Sequence, residues 1–215
     1  MRMIKIYKII ERSNLTLHLT DKEIHVLCEQ LQGVLSAKRY KHSLGVADTA
    51  RELALQYGAD PGQAYLAGLV HDYAKNMKKS DLIAIAQREH LITDPVELEL
   101  TEVLHAPVGA YLLPRETQIN DPEILQAVAR HTLGDLNMTL LDKIIFVADI
   151  VEPNRNTPHL EKERKIAFEN LDKAVLRSLE STICYCIEIG RKIHPKSVML
   201  RNHYISMLKP DKEQK

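Results

Sequence analysis

Residues 64–75, AYLAGLVHDYAK, form an apolar run of helical character that ends in a histidine–aspartate doublet, His71 and Asp72. Asp60-Pro61 opens the run, with Asp60 as N-cap and Pro61 at the first helical position. Adjacent residues on a regular helix point about 100° apart. A helix end relaxes that geometry, and both side chains can then turn to one point. Leu66, Ala67, Gly68, Leu69 and Val70 draw this end into the interior, where a polar pair without partners is costly to bury. Metal coordination would supply partners. The alternative is a helix end that reaches solvent.

Four further residues stand at the edges of helix-like stretches: His42 upstream, then His105, His131 and Asp149. With the doublet they read H…HD…H…H…D, nitrogen and oxygen donors with no thiolate. That mixture suits iron, manganese, cobalt, nickel or zinc and is typical of hydrolytic metal sites. Asp149 lies in LLDKIIFVADIVEP (140–153), apolar on both sides, so its carboxylate is expected in or near the core with a cation beside it. Asp142, in the same segment, reads as an outward-facing residue. His131 follows the apolar helix face Ile124, Leu125, Ala127 and Val128, and His105 opens HAPVGA (105–110), whose small residues allow close approach. His42 sits among cations in RYKHSLG (39–45). Of the remaining histidines, His18, His25, His90, His159 and His203 read as surface or capping residues.

The rest of the chain is helical in composition. Of 215 residues only 8 are glycine, 9 proline and none tryptophan, and alternating strand patterns are scarce. IKIYKII (4–10) is the best strand candidate, and reads equally as an extension or the first turns of a helix. Thr20 and Glu23 form a capping box ahead of a helix with Ile24, Leu27, Cys28, Leu31 and Leu35 on one face. A second helix spans about 38–57, with Tyr40, Leu44, Ala47, Ala50, Leu53 and Ala54 as its stripe and Gly58 at its end. Further helices are expected from Ser80-Asp81 to about His90 and over about 105–113, 121–132, 139–151, 160–190 and 195–207, with Asp121-Pro122 and Pro158 as start punctuation. The fold class is all-α. The expected organisation is an N-terminal extension over 1–19, one domain over 20–207 and a charged, frayed tail over 208–215.

Lys plus Arg (29) balances Asp plus Glu (29), with a pI near 7.2. No positive field is available for a nucleic-acid backbone or an anionic membrane, so neither partner is expected, and any phosphate site must be local. Cys28, Cys184 and Cys186 are too few for a disulfide scaffold. Cys184 and Cys186 point apart on a helix, and all three read as reduced cysteines of a cytoplasmic protein. No signal peptide is visible, and no apolar run approaches the ~20 residues that span a bilayer.

Five words in order, RYKHSLGVA (39–47), GLVHDYAK (68–75), LHAPVGAYL (104–112), ARHTLGD (129–135) and FVADIVEPNR (146–155), resemble the HD-domain superfamily of metal-dependent phosphohydrolases. Within it they resemble the bacterial YqeK family of symmetrical diadenosine-tetraphosphate hydrolases, from about Arg39 to around Asn202. The resemblance implies a helical fold around a dinuclear metal centre. It places His42, His71, Asp72 and Asp149 on one metal, with Asp72 bridging to a second held by His105 and His131. Iron is the metal implied; manganese, cobalt and nickel also fit. A bridging carboxylate neutralises two cations and holds them about 3.5–4 Å apart.

The reaction implied is hydrolysis of diadenosine tetraphosphate to two ADP, with a metal-activated water as nucleophile. Asp72 and Lys75 are the expected catalytic residues. Lys75, Arg39, Lys41 and Arg155 are the expected phosphate contacts, with Thr132, His194, Arg201 and Asn202 toward phosphate or nucleoside. A homodimer is compatible with this reading. The competing expectations are an HD phosphohydrolase of another nucleotide, a non-catalytic nucleotide-binding regulator, and a purely structural helical domain.

Overall fold

The structure, a computed structural model, describes residues 19–155 and 160–209. The IKIYKII segment, His18, Pro158, His159 and the tail from residue 210 lie outside the described residues. Within them the chain is built from ten α-helices and two short 3₁₀ helices, with no strand. The helices are α1 (Asp21–Val34), α2 (Ala37–Tyr57), α3 (Pro61–Val70), α4 (Lys79–Arg88), α5 (His105–Glu116), α6 (Pro122–Arg130), α7 (Leu140–Val151), α8 (Leu160–Glu169), α9 (Leu171–Glu188) and α10 (Pro195–Leu208). The 3₁₀ turns, Pro95–Leu98 and Thr101–Val103, lead into α5.

Local signals set most of these ends. The Thr20/Glu23 capping box forms, with the Glu23 carboxylate accepting from Thr20 N at 2.7 Å. Asp60 caps α3 by accepting from Gly62 N and Gln63 N, and Gly58 ends α2 in the left-handed region, at φ 74°. Three expectations are corrected. The stretch 160–190 is two helices, because Asn170 leaves helical geometry (φ −156°, ψ 104°) and its side chain caps Lys173 N at 2.8 Å. The helix from 105 continues through Pro114 to Glu116. Asp142 is buried rather than outward-facing: it closes a second capping box with Thr139 and accepts from Arg130 Nη1 at 2.7 Å and Gln126 Nε2 at 3.1 Å.

The core forms where α2, α3, α6 and α7 meet. Leu53, Leu66, Leu69, Ile124, Ile144 and Ile145 are all fully or almost fully buried there. α2 and α3 share the most extensive contact of any pair. Their closeness rests on Gly68, where a Cβ would meet the Ala47 backbone, 2.9 Å from its Cα and 3.0 Å from its N. A smaller apolar cluster of Ala74, Leu82, Ala86, Leu104 and Val108 sits beneath α4 and α5.

Neither backbone at the Gly68 contact can yield the way a flexible side chain does. Gly68→Ala is therefore expected to destabilise the fold by about 1–3 kcal/mol through overpacking, lowering the thermal midpoint by about 2–4 °C per kcal/mol. Calorimetric unfolding beside the parent protein checks this.

Candidate metal centre

Three of the six residues singled out at the start emerge from helix ends for a shared reason. The last carbonyls of a helix lack intrahelical partners, and an imidazole just beyond can donate to one. His71, the C-cap of α3, donates Nδ1–H to Gly68 O at 2.8 Å. His131, the C-cap of α6, donates to Val128 O at 2.7 Å. His105, following the second 3₁₀ turn, donates to Glu102 O at 2.5 Å. In each case the acceptor is the carbonyl three residues back. The fourth ring, His42, lies inside α2 and donates Nδ1–H to the Glu152 carboxylate at 3.0 Å. A carbonyl or carboxylate can only accept, so all four rings carry a proton on Nδ1 and, when neutral, present an Nε2 lone pair inward.

These lone pairs meet two carboxylates. Asp72 Oδ2 lies 3.5 Å from His71 Nε2 and 3.9 Å from His42 Nε2, while its Oδ1 lies 3.0 Å from His105 Nε2 and 3.8 Å from His131 Nε2. Asp149 Oδ1 is 2.9 Å from His42 Nε2 and 3.7 Å from His71 Nε2. His105 Nε2 and His131 Nε2 approach to 3.0 Å. The structure thus brings together all six residues, and the two oxygens of Asp72 face different pairs of imidazoles.

Such an arrangement needs a cation. The Nε2 atoms of His42 and His71 are buried without a hydrogen-bond partner; the 2.9 Å approach of Asp149 to His42 is not aligned as one. Burial, aided by His131 and Lys75, pulls the pKa of His105 down to about 4, so its ring is neutral near pH 7 and its Nε2 faces Asp72 as lone pair against anion. Burial likewise pulls His42 down, yet Asp149 and Glu152 prevail and raise it. The donor sets His42/His71/Asp72, Asp72/His105/His131 and His71/His131/Asp149 each have their ligand atoms within 4.8 Å of one another. Donor chemistry, inward lone pairs and orphaned nitrogens all fit divalent transition metal.

Three cations ring the cluster. Arg39 Nη1 donates to Asp72 Oδ2 at 3.0 Å, and Arg155 donates to the Asp149 carboxylate at 2.5 Å and its carbonyl at 2.8 Å. Lys75 Nζ lies 3.3 and 3.4 Å from the two nitrogens of His105, and burial lowers its pKa. Arg155 also lines a cavity of about 970 Å³ that Arg201 and Asn202 border, together with Ser178, Tyr185 and Ile150.

The other expected contacts lie differently. Lys41 is exposed, Thr132 is half-buried beside His131, and His194 is turned away into the protein. His194 caps α10 by accepting from Lys196 N and reaches the buried Glu97 at 3.2 Å, so both ring nitrogens are engaged. Sequence reasoning missed Glu152, buried behind His42. The signal was present, a carboxylate directly after the apolar run of α7.

A model of the HD domain matches residues 39–154. The chain belongs to this family of metal-dependent phosphohydrolases. It is 42% identical over 171 residues to the symmetrical bis(5'-nucleosyl)-tetraphosphatase of Halalkalibacterium halodurans, covering 80% of this chain and 91% of that protein. To the protein of the same description in Bacillus subtilis it is 38% identical over 186 residues, covering 86% and 98%. Among solved structures, an HD superfamily hydrolase of Clostridium acetobutylicum, described as involved in NAD metabolism, superposes with a TM-score of 0.82 at 38% identity, covering 86% of this chain and 97% of that one.

A metal held by this cluster would be linked to folding stability. Co²⁺ at about a hundred times its Kd is expected to stabilise the metal-stripped protein by about 2.7 kcal/mol, read as a rise in thermal midpoint that EDTA reverses. Asp72→Asn should remove most of the rise, because Asp72 faces both imidazole pairs.

Proposed function

We propose that this chain is a symmetrical bis(5'-nucleosyl)-tetraphosphatase that hydrolyses diadenosine tetraphosphate to two ADP. The observation that carries the reading is Asp72: one oxygen toward His42 and His71, the other toward His105 and His131, in a chain with 42% identity to a relative of that activity. We assign His42, His71, Asp72 and Asp149 to one metal position, and Asp72, His105 and His131 to a second. Iron is the proposed metal, in keeping with imidazole and carboxylate donors without thiolate. When bound, the metal pair supplies Lewis acidity toward phosphate oxygens and makes water acidic enough to attack near neutral pH.

The protein's own groups do the rest. Two dications outweigh the charge of Asp72 and Asp149, and Arg39, Lys75 and Arg155 add to the surplus. A surplus of that size suits a polyphosphate chain rather than a neutral substrate. Water oxygen adds to a phosphorus beside the central bridging oxygen, that P–O bond breaks, and ADP leaves with the electron pair while the water's proton is released. Lys75, beside His105, is placed to neutralise charge on the departing oxygen, so no strong general acid is needed. The cavity bordered by Arg155, Arg201 and Asn202 is assigned to a nucleoside end of the substrate.

Purified protein supplied with Fe²⁺ or Co²⁺ and diadenosine tetraphosphate should yield ADP as the only product on ion-exchange chromatography, and Asp72→Ala should yield none. AMP plus ATP would sink the symmetrical reading; no turnover with any metal would sink the assignment. Lys75→Met is expected to lower kcat by about 10²-fold with metal content unchanged, measured by steady-state kinetics alongside metal analysis.

A further inference from the structure

His42 stands apart from the other three imidazoles. It lies within α2, where backbone carbonyls are committed to the helix's own ladder, so an acceptor for its Nδ1–H must come from another element. Glu152, the C-cap of α7, supplies it. Its Oε1 accepts from His42 Nδ1 at 3.0 Å, and its Oε2 accepts from the backbone N of Asn154 at 2.7 Å and from Asn154 Nδ2 at 2.8 Å. Glu152 is only 1% exposed, and donors at both oxygens fix its orientation. Room for it is made on the same helix by Gly45, one turn beyond His42. A Cβ there would lie 2.2 Å from Glu152 Oε2 and 2.6 Å from Asn154 Nδ2. Glycine is disfavoured inside a helix, and this contact explains its presence at position 45.

We infer that Glu152 is a positioning residue, which Gly45 and Asn154 hold in place: it fixes His42 as the Nδ1–H tautomer and turns its Nε2 lone pair onto Asp72 and Asp149. The inference rests on the metal assignment above for its consequence, but not for its geometry, since Glu152 acts only through His42. Orienting groups behind a ligating imidazole commonly change metal affinity by about 10–100-fold.

The near-isosteric Glu152→Gln separates positioning from mere support. Asn154 directs two N–H donors at one oxygen, so the amide carbonyl of the glutamine must face them. Its NH₂ is then left against His42 Nδ1, which must accept, and the ring proton moves to Nε2, where it blocks ligation. Gly45→Ala reaches the same end by displacing the carboxylate.

Imidazole ¹H–¹⁵N spectra of the metal-free protein at about pH 9, above the ordinary imidazole range, read the tautomer directly. The parent should show His42 protonated on Nδ1, and Glu152→Gln should show it on Nε2. Calorimetric titration should show Co²⁺ binding about 10–100-fold weaker in both variants, with the thermal midpoint of metal-free Glu152→Gln close to the parent's. Retention of the Nδ1–H tautomer and of parental Co²⁺ affinity in Glu152→Gln would overturn the inference. So would unchanged Co²⁺ affinity in folded Gly45→Ala. A tautomer switch in Glu152→Gln with no Co²⁺ uptake even by the parent would support the positioning role and overturn the metal assignment instead.

Discussion

A neutral imidazole has one N–H and one lone pair, and this molecule spends all four N–H groups outward. Once His71, His105 and His131 donate to carbonyls and His42 to Glu152, four lone pairs and two carboxylates converge on one buried point. Arg39 and Arg155 offset the two carboxylates, but His42 Nε2 and His71 Nε2 stay buried without a partner. The centre therefore depends on cations. The helices around it serve to hold the rings in the orientation that demands them.

That service explains features that local propensity does not. Gly68 brings α2 and α3 to backbone contact, and its carbonyl anchors His71, so one residue sets both a helix crossing and a ring orientation. The buried Asp142, held by Thr139, Gln126 and Arg130, ties the start of α7 to the end of α6. His131 directly follows Arg130, and Asp149 lies two turns along α7 from Asp142. The polar clamp thus sets the spacing between two members of the site. Gly134, at φ 67°, lets the turn after His131 close on Leu200 of α10, where any Cβ would lie 2.5 Å from that side chain.

Much of this was legible in the residues. Caps and prolines marked where helices begin, and the apolar stripes marked the face they bury. His71, Asp72 and His131 stood out as polar residues after apolar runs, Asp149 as a carboxylate inside one, and His42 and His105 by their place in the ordered H…HD…H…H…D pattern. What escaped has a common physical origin, namely dependence on partners remote in sequence. Asp142 reads as a surface residue until Arg130 and Gln126 of another helix cover it. Glu152 gains meaning only from a ring 110 residues away. His194 sits beside cations in the sequence, yet folding pairs it with the buried Glu97, 97 residues away. The break at Asn170 was foreseeable from its capping side chain, but the helical composition on both sides masked it.

The cations now on the carboxylates bear on how such a site would work. Arg39 holds the same Asp72 oxygen that faces His42 and His71, and Arg155 holds the Asp149 oxygen that faces the same pair of imidazoles. A dication drawn in by those imidazoles competes with both guanidiniums for these oxygens, and a divalent charge at coordination distance outbids a monovalent one. Each guanidinium is more than a quarter exposed and able to swing outward. Under the proposed function, metal loading would release Arg39 and Arg155 from carboxylates and leave them at the rim, with planar donor forks matched to phosphate oxygens. The groups that stabilise the metal-free cluster would then be those that receive the substrate.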